Sequence, residues 1–172
     1  MIDQGDKYTD PDWPAVLSSI YDENDEIAED EKEEYDKMEW RRISEIIEKP
    51  EMIVDGIHPN DIKQGYLGDC YLLAVMSAMC EFPDQIYDLL GNKEANEAGI
   101  YCIFMYINGV KKPVIIDDLI PVYKGTNDVA FCSSHGGEIW PILIEKAWAK
   151  LHGTYVRIEG GFPYFAGVHL CK

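Results

Sequence analysis

The segment from Gln64 to Ala74, QGYLGDCYLLA, contains a cysteine in a setting that suits a nucleophile. Two glycines and an aspartate precede Cys70, and the apolar run after it predicts a helix that begins at the cysteine. The positive end of a helix dipole favours the thiolate, which is the nucleophilic form of cysteine. Judged by residue type alone, a structural cysteine on a buried apolar helix is the commoner alternative.

Acyl transfer by a thiolate also needs hydrogen-bond donors for the oxyanion and a base that activates the thiol. The backbone amide of Cys70 and the side-chain amide of Gln64, six residues upstream, are the candidate donors. Gly65 and Gly68 predict a loop that folds back and brings the two amides together. The base would be a histidine whose ring is oriented by a third residue.

Length and charge limit the classes of function that this chain can have. Its 172 residues, 47% of them hydrophobic, are enough for one domain with a core. A formal net charge of -17 disfavours nucleic acid and anionic membranes as partners, because their phosphates would be repelled. The same acidity is compatible with cation binding, although a solvated surface is its usual explanation.

The cysteines and the lack of long apolar runs predict a cytoplasmic protein. Five cysteines are widely spaced without a Cys-x-x-Cys pair, which disfavours zinc knuckles, thioredoxin-type redox sites and a disulfide framework. The first ten residues lack the apolar core of a signal peptide, and no apolar run reaches the roughly 18 residues of a membrane span. We therefore expect a soluble chain in a reducing compartment, with no membrane span.

Hydrophobic periodicity and turn residues predict an α+β chain. Helices are expected over residues 15–20, 39–49, 70–82, 84–90 and 138–152. Asp69 is expected to cap the helix that follows it. Two β-rich runs joined by Asn108-Gly109 predict a hairpin over residues 99–118, and a short strand is expected over 129–134.

An acidic block divides the chain near its start. Ten of the fifteen residues from Asp22 to Asp36 are acidic, and such a block is typically solvated and mobile. We therefore interpret residues 1–39 as an N-terminal lead with an acidic insertion and residues 40–172 as the core.

The stretch Q-G-Y-L-G-D-C, followed by an apolar run, resembles the active-site signature of the calpain family of cysteine proteases, a branch of the papain-like fold. Four further stretches resemble segments of that family in the same order: DPDWPA, WRRISEIIEKPEMIVDG, VIIDDLIPV and GGEIWPILIEKAWAKLHGTYVRIEGG. The resemblance extends from about residue 8 to residue 161 and is interrupted by the acidic block. It implies the helical lobe of a papain-like protease, with a central active-site helix and a small antiparallel β element.

The family resemblance also implies one calcium ion, Ca²⁺, bound without an EF-hand. Its ligands would be the carboxylates of Asp61 and Glu138 and the backbone carbonyls of Val54 and Gly56. Hard oxygen donors of this kind suit calcium. From residue type alone, Asp61 is typical of a turn, and Glu138 is typical of a helix start, where the dipole favours an acid.

The resemblance makes Cys70 the nucleophile and Gln64 an oxyanion-hole donor, but the chain departs from the family in several places. Tyr71 stands where the family has tryptophan, and Pro141 stands where serine is usual. The end of the chain, FPYFAGVHLCK, lacks the family's Thr-Gly-Gly. In the family the catalytic histidine and asparagine belong to a second lobe, which we expect to be absent here.

None of the histidines lies in the family's catalytic-histidine motif; they are His58, His135, His152 and His169. The leading hypothesis is therefore the first lobe of a calcium-dependent cysteine endopeptidase that acts on protein substrates. It would be inactive without a second lobe as its partner. The alternative is a non-catalytic binding or scaffold module. A calcium sensor is disfavoured, because no EF-hand loop is present.

Overall fold

The computed structural model describes residues 6–171 and shows the mixed α+β fold that the sequence predicts. Its helices are α1 (Glu29–Tyr35), α2 (Ile43–Ile46), α3 (Cys70–Met79), α4 (Pro83–Leu89), α5 (Trp140–His152) and α6 (Pro163–Leu170). Its strands are β1 (Met38–Arg42), β2 (Ile100–Ile107), β3 (Val110–Asp117) and β4 (Leu119–Tyr123). Within the described residues, no helix is long and apolar enough to cross a membrane.

Strands β2 and β3 form the predicted hairpin and pair antiparallel along their whole length. The two residues between them, Asn108 and Gly109, have positive φ angles of 53° and 73°. Positive φ at both central residues is the requirement of a type I′ turn, whose twist matches that of the strands it joins. The turn signal in the sequence therefore determines this element locally.

The helix predicted over residues 39–49 is confirmed only for Ile43–Ile46 and is wrong for the residues before it. Residues Met38–Arg42 form strand β1, and the helix that follows, α2, has only 4 residues. β1 pairs antiparallel with β4, which places Trp40 opposite Pro121. Trp40 also packs edge-on against Trp13, with ring centroids 6.0 Å apart. Helical spacing of apolar residues could not reveal this pairing, because the partner strand lies far later in the chain.

Other short segments also differ from the sequence prediction. Instead of a helix over residues 15–20 there is one 3-10 turn, Leu17–Ser19. Instead of a strand over 129–134 there are isolated bridges formed by Val129 and Ser133. The end of the described chain, for which no helix is predicted, forms α6. The conformation of each of these segments depends on contacts with residues that are distant in sequence, and local sequence patterns do not predict such contacts.

The acidic block belongs to the folded domain. Its helix α1 ends at Tyr35, which is fully buried and whose hydroxyl donates to the Glu159 carboxylate at 2.6 Å. Two of its aspartates, Asp22 and Asp25, pair with Arg157 at 2.8 and 2.7 Å. A buried aromatic ring and these ion pairs therefore tie the segment to the core, although most of its other side chains are exposed or half-buried. Its interpretation as an insertion stays a prediction.

The core surrounds α5, which is buried along most of its length, and α3, whose Leu72 and Met76 have no exposed surface. Helix α3 packs against α4 and α6, so it is held on several sides. Trp13 and Ile20, from the predicted N-terminal lead, belong to the same core. The division into residues 1–39 and 40–172 itself stays a prediction.

Two lysines of α5 form ion pairs with buried aspartates. Lys146, which is 1% exposed, donates to the Asp117 carboxylate and to the Leu119 carbonyl. Burial lowers the pKa of Lys146, and the nearby Asp117 charge opposes that effect. Lys150 pairs with Asp10 at 2.6 Å. These bonds join α5 to the end of β3 and to the N-terminal segment.

We expect the substitution Lys146→Met to lower the free energy of unfolding by about 3–5 kcal/mol, because it leaves Asp117 buried without its cationic partner. The matched control is Lys32→Met, which removes an exposed pair with Glu29 and should leave the stability unchanged within error. Urea denaturation followed by circular dichroism measures both variants. Equal effects of the two substitutions would contradict the role of the buried pair.

Candidate active site

Cys70 lies at the start of a helix whose neighbouring side chains are buried. It is the first residue of α3 and is exposed, whereas Tyr71, Leu72 and Leu73 directly after it are buried. These side chains fix the helix in the core, so its N-terminus holds the thiol at the surface. A thiol in this position is accessible to a substrate and lies at the positive end of the helix dipole.

The loop before Cys70 is held by backbone hydrogen bonds to two other segments. Towards its start, the Tyr66 N–H donates to the Ala130 carbonyl at 2.8 Å. Towards its end, the Gly68 carbonyl accepts from the Gly160 N–H at 2.9 Å. The loop therefore has a defined course between its neighbours and the helix.

Gln64 is exposed at the beginning of this loop. Its side-chain Nε2 donates to the Leu67 carbonyl at 3.1 Å, which keeps the amide within the loop. An amide nitrogen carries two hydrogens, so the second stays available to another acceptor. The predicted oxyanion donor is thus oriented by its own loop.

Gly65 passes too close to a neighbouring segment to carry a side chain. A Cβ atom there would lie 2.2 Å from the Phe131 carbonyl oxygen and 2.5 Å from that of Ala130. At Gly68, in contrast, the nearest atom to an added Cβ is the Glu159 Cβ, 3.8 Å away, which is an ordinary van der Waals distance. Of the two glycines in this loop, Gly65 is therefore the one that a close approach of the backbone requires.

Asp69 does not cap α3 with its side chain, contrary to the prediction. Its carboxyl group is fully buried and faces the carboxyl of Glu145 in α5. Glu145 also accepts the Cys132 N–H with both oxygens, at 3.0 and 3.1 Å. Burial raises the pKa of Asp69 to about 6. Burial and then the Asp69 charge raise the pKa of Glu145 well above its usual value, so the two acids form a buried pair beside the candidate nucleophile.

Tyr71, which stands directly after the cysteine, connects α3 with α5. Its hydroxyl accepts a hydrogen bond from the Trp148 Nε1 at 3.0 Å. Gly161 lies against the ring, since a Cβ atom there would be 2.8 Å from the ring atom Cε1. The aromatic residue after the cysteine therefore packs in the core and holds the two helices together.

The histidines form their hydrogen bonds away from Cys70. Ring nitrogens of His58, His152 and His169 bond to the carbonyls of Asp55, Trp148 and Phe165, at 3.3, 2.8 and 2.8 Å respectively. His135 is exposed in a turn. Residues 6–171 thus supply no histidine that is hydrogen-bonded to the candidate nucleophile.

Asp61 and Glu138, two of the predicted calcium ligands, lie side by side. The Asp61 carboxylate accepts the His58 N–H at 2.7 Å, and the Glu138 carboxylate accepts the Val54 N–H at 2.7 Å. Gly56, in the loop after Val54, has a φ angle of 100°, a conformation that favours glycine. The structure therefore brings the two carboxylates together beside the loop that contains the two predicted carbonyl ligands.

The donor set at Asp61 and Glu138 fits a hard cation. The two side chains are 9% and 2% exposed. Burial raises the pKa of Glu138 to about 7, and the neighbouring Asp61 carboxylate adds to that increase. Two such acids repel each other unless a proton or a cation lies between them. In the described residues, no group of three or more His, Cys, Asp or Glu side chains could hold a metal, so backbone carbonyls would have to complete this site.

Comparison with known sequences identifies the family. Residues 8–170 match the sequence profile of the calpain family cysteine proteases. The chain belongs to the calpain family. The match includes the candidate nucleophile, the loop before it and α5, so the resemblance that the sequence motifs indicate is confirmed.

Individual calpains align with most of the chain, although the chain covers little of them. Calpain-A of Drosophila melanogaster is 38% identical over 127 residues, which are 72% of this chain and 15% of the relative. Calpain clp-4 of Caenorhabditis elegans is 32% identical over 158 residues, or 90% of this chain and 21% of the relative. The human calpain-2 catalytic subunit is 32% identical over 165 residues, or 93% of this chain and 23% of the relative. The matched region thus spans 15% to 23% of the length of these calpains.

The pair formed by Asp69 and Glu145 is the feature of this calpain-family site that sequence reasoning missed. Glu145 stands in the apolar stretch WPILIEKAWA, and an acid inside a buried helix requires a polar partner. That signal is visible in the sequence. The identity of the partner is not, because the two acids lie far apart along the chain.

Gly65→Ala is expected to lower the free energy of unfolding by at least about 2 kcal/mol, because the backbone of residues 130 and 131 would have to move. Gly68→Ala, in the same loop, is the matched control and should change the stability by less than about 1 kcal/mol. Scanning calorimetry of the two variants measures the difference. If both substitutions lower the free energy of unfolding equally, the close approach at Gly65 is not the cause of the destabilisation.

Proposed function

We propose that this chain is the nucleophile-bearing lobe of a calcium-dependent, calpain-like cysteine endopeptidase. The observation that carries the proposal is the position of Cys70, exposed at the N-terminus of an otherwise buried helix in a chain of the calpain family. A cysteine kept for packing is usually buried, as Cys80 and Cys132 are here. The substrates would be proteins, cut at exposed and flexible segments.

In the proposed reaction, the Cys70 thiolate attacks the carbonyl carbon of a substrate peptide bond. The resulting oxyanion accepts one hydrogen bond from the Cys70 backbone N–H, which belongs to the first turn of α3 and has no partner within the helix. Gln64 would donate the second bond with the amide hydrogen that Leu67 does not use. The tetrahedral intermediate then expels the amine, and water hydrolyses the thioester.

The reaction also needs a base that accepts the thiol proton, transfers it to the leaving amine and then activates water. We assign this role to a histidine, oriented by an asparagine, in a second lobe that packs against this one. Because no histidine among residues 6–171 is hydrogen-bonded to Cys70, the 172-residue chain without that lobe should have no peptidase activity.

The calcium ion would be held by the carboxylates of Asp61 and Glu138 and by the carbonyls of Val54 and Gly56. Its charge would offset the repulsion between the two buried carboxylates. Asp61 lies nine residues before Cys70, and Glu138 lies just before α5. Holding these two side chains together would therefore fix the course of the chain that enters the active-site loop.

The remaining partners follow from charge and cysteine chemistry. The net charge of -17 opposes binding to nucleic acid. All five cysteines are free, which is expected in a reducing compartment. We therefore propose a cytoplasmic protein whose partners are its protein substrates and the second lobe.

The test of the proposal is protease activity of the native polypeptide that carries these residues, expressed at its natural length. With calcium, it should cleave a flexible protein such as casein, and Cys70→Ser should reduce the rate at least about a thousandfold because the nucleophile is lost. Cys171→Ser is the matched control and should keep the activity. Cleavage that survives Cys70→Ser would contradict the proposed role of this residue.

A non-catalytic binding or scaffold module is the second candidate. The observation that favours it is the lack, within the described residues, of a histidine hydrogen-bonded to Cys70. The presence of Gln64 six residues before an exposed cysteine counts against it, because a binding module needs no oxyanion donor. Under this alternative the natural-length protein would not cleave casein, with or without calcium.

Calcium binding can be measured on the 172-residue chain itself by isothermal titration calorimetry. We expect one site, and we expect Asp61→Asn and Glu138→Gln each to weaken it at least about tenfold, or about 1.4 kcal/mol. Glu51→Gln removes an exposed acid of the same neighbourhood and should leave the affinity unchanged. Equal weakening by all three substitutions would show non-specific attraction to an acidic surface and would contradict the assigned site.

A further inference from the structure

Glu145 of α5 lies at the junction of the segments that form the candidate active site. Its side chain is 2% exposed, and both carboxyl oxygens accept the Cys132 N–H, at 3.0 and 3.1 Å. The same carboxyl is within hydrogen-bonding reach of the fully buried carboxyl of Asp69. Glu145 thus connects α5 with the segment around Cys132 and with the residue directly before Cys70.

Within residues 6–171, no cation balances this pair of acids. The titratable side chains that face it are those of Tyr71, Cys132, Tyr155 and Glu159. Each of these is neutral or acidic, and Lys146, the next residue of α5, pairs with Asp117 instead. No N–H or hydroxyl of another described residue donates to either carboxyl oxygen of Asp69. Two ionised carboxylates in contact in the core would repel each other strongly, so a proton must lie between them.

We propose that Glu145 is a positioning residue for Cys70, which keeps its proton in the folded protein and donates it in a hydrogen bond to Asp69. The proposal rests on the proposed function only in taking Cys70 as the nucleophile. Burial also favours a retained proton, since it raises the pKa of both carboxyls. The pair then carries a single negative charge that the two acids share.

This hydrogen bond holds the active-site loop from two sides. The backbone carbonyl of Asp69 accepts the first N–H bonds of α3, while its side chain is held by Glu145. Cys132, the other partner of Glu145, belongs to the segment whose Ala130 carbonyl accepts the Tyr66 N–H of the loop. One carboxyl therefore joins the start of the nucleophile helix to the segment on which the loop rests.

The retained proton makes this arrangement dependent on pH. A glutamate in the unfolded chain has a pKa near 4.5, whereas that of Glu145 in the folded chain is higher. The stability that the proton confers is complete below about pH 4.5 and is lost as the pH rises towards the folded-state pKa, by up to about tenfold in the unfolding equilibrium constant per pH unit. Cys132 and Tyr155, whose pKa values burial also raises, add to this loss only at alkaline pH.

Infrared spectroscopy at about pH 7 tests the proton directly. A protonated carboxyl has a carbonyl stretching band that an ionised carboxylate lacks. The difference spectrum between the wild-type chain and Glu145→Gln should contain this band, and the difference spectrum for the exposed control Glu94→Gln should not. A Glu145→Gln difference spectrum without the band would mean that both acids are ionised and would overturn the proposal.

Alkylation of Cys70 by iodoacetamide, followed by peptide mass spectrometry, tests the positioning. Glu145→Gln keeps a donor towards Asp69 and an acceptor for the Cys132 N–H, so the alkylation rate should stay within about twofold of the wild-type rate. Glu145→Ala removes both bonds and loosens the first turn of α3. The thiolate then loses support from the helix dipole, and alkylation at about pH 7 should slow by about two- to fivefold. Cys171 in the same sample is the internal control.

Equal alkylation rates of Cys70 in the Gln and Ala variants, both folded by circular dichroism, would exclude a positioning role for Glu145. If the Ala variant does not fold, the stability of the wild-type chain and Glu145→Gln is compared between about pH 6 and pH 9. The wild-type stability should fall more steeply as the pH rises, and parallel profiles would overturn the proposal. None of these measurements requires peptidase activity, so failure of this proposal and failure of the proposed function give different results.

Discussion

Two consecutive buried residues, Glu145 and Lys146, hold the parts of this domain together. Successive residues of a helix point about 100° apart, so the two side chains of α5 reach different neighbours. Glu145 meets Cys132 and Asp69, next to the active-site loop, and Lys146 meets Asp117 at the end of β3. A buried polar or charged group that loses its partner is strongly unfavourable, so each of these neighbours is confined to its place.

The exposure of Cys70 is a consequence of this constraint. Apolar side chains such as Leu72 anchor α3 in the core, and the inward turn of Asp69 anchors the residue before the helix. The loop that leads to the helix is confined by Gly65, which lies against the carbonyl of Phe131. With both sides of the first helical turn held in this way, the thiol is the group left at the surface.

The candidate calcium site and the buried acid pair are subject to the same constraint: two carboxylates in contact repel each other unless a cation or a proton lies between them. Each places two carboxyl groups in contact where water has little access. Asp61 and Glu138 lie beside a loop whose carbonyls can add ligands, which favours a cation. Asp69 and Glu145 are held by an N–H donor and by each other, which favours a shared proton. Because Glu138 precedes α5 and Glu145 lies within it, the same helix supports both arrangements.

Local sequence was sufficient for the hairpin at Asn108 and for the helix that begins at Cys70, because turn residues and apolar runs act through near neighbours. It was insufficient for strand β1, for the folded acidic block and for the side-chain direction of Asp69. In each of these cases the partner is distant in the chain: β4 for β1, Arg157 for the acidic block and α5 for Asp69. Those contacts exist only once the chain has folded, since burial, and not local propensity, determines which of them are favourable.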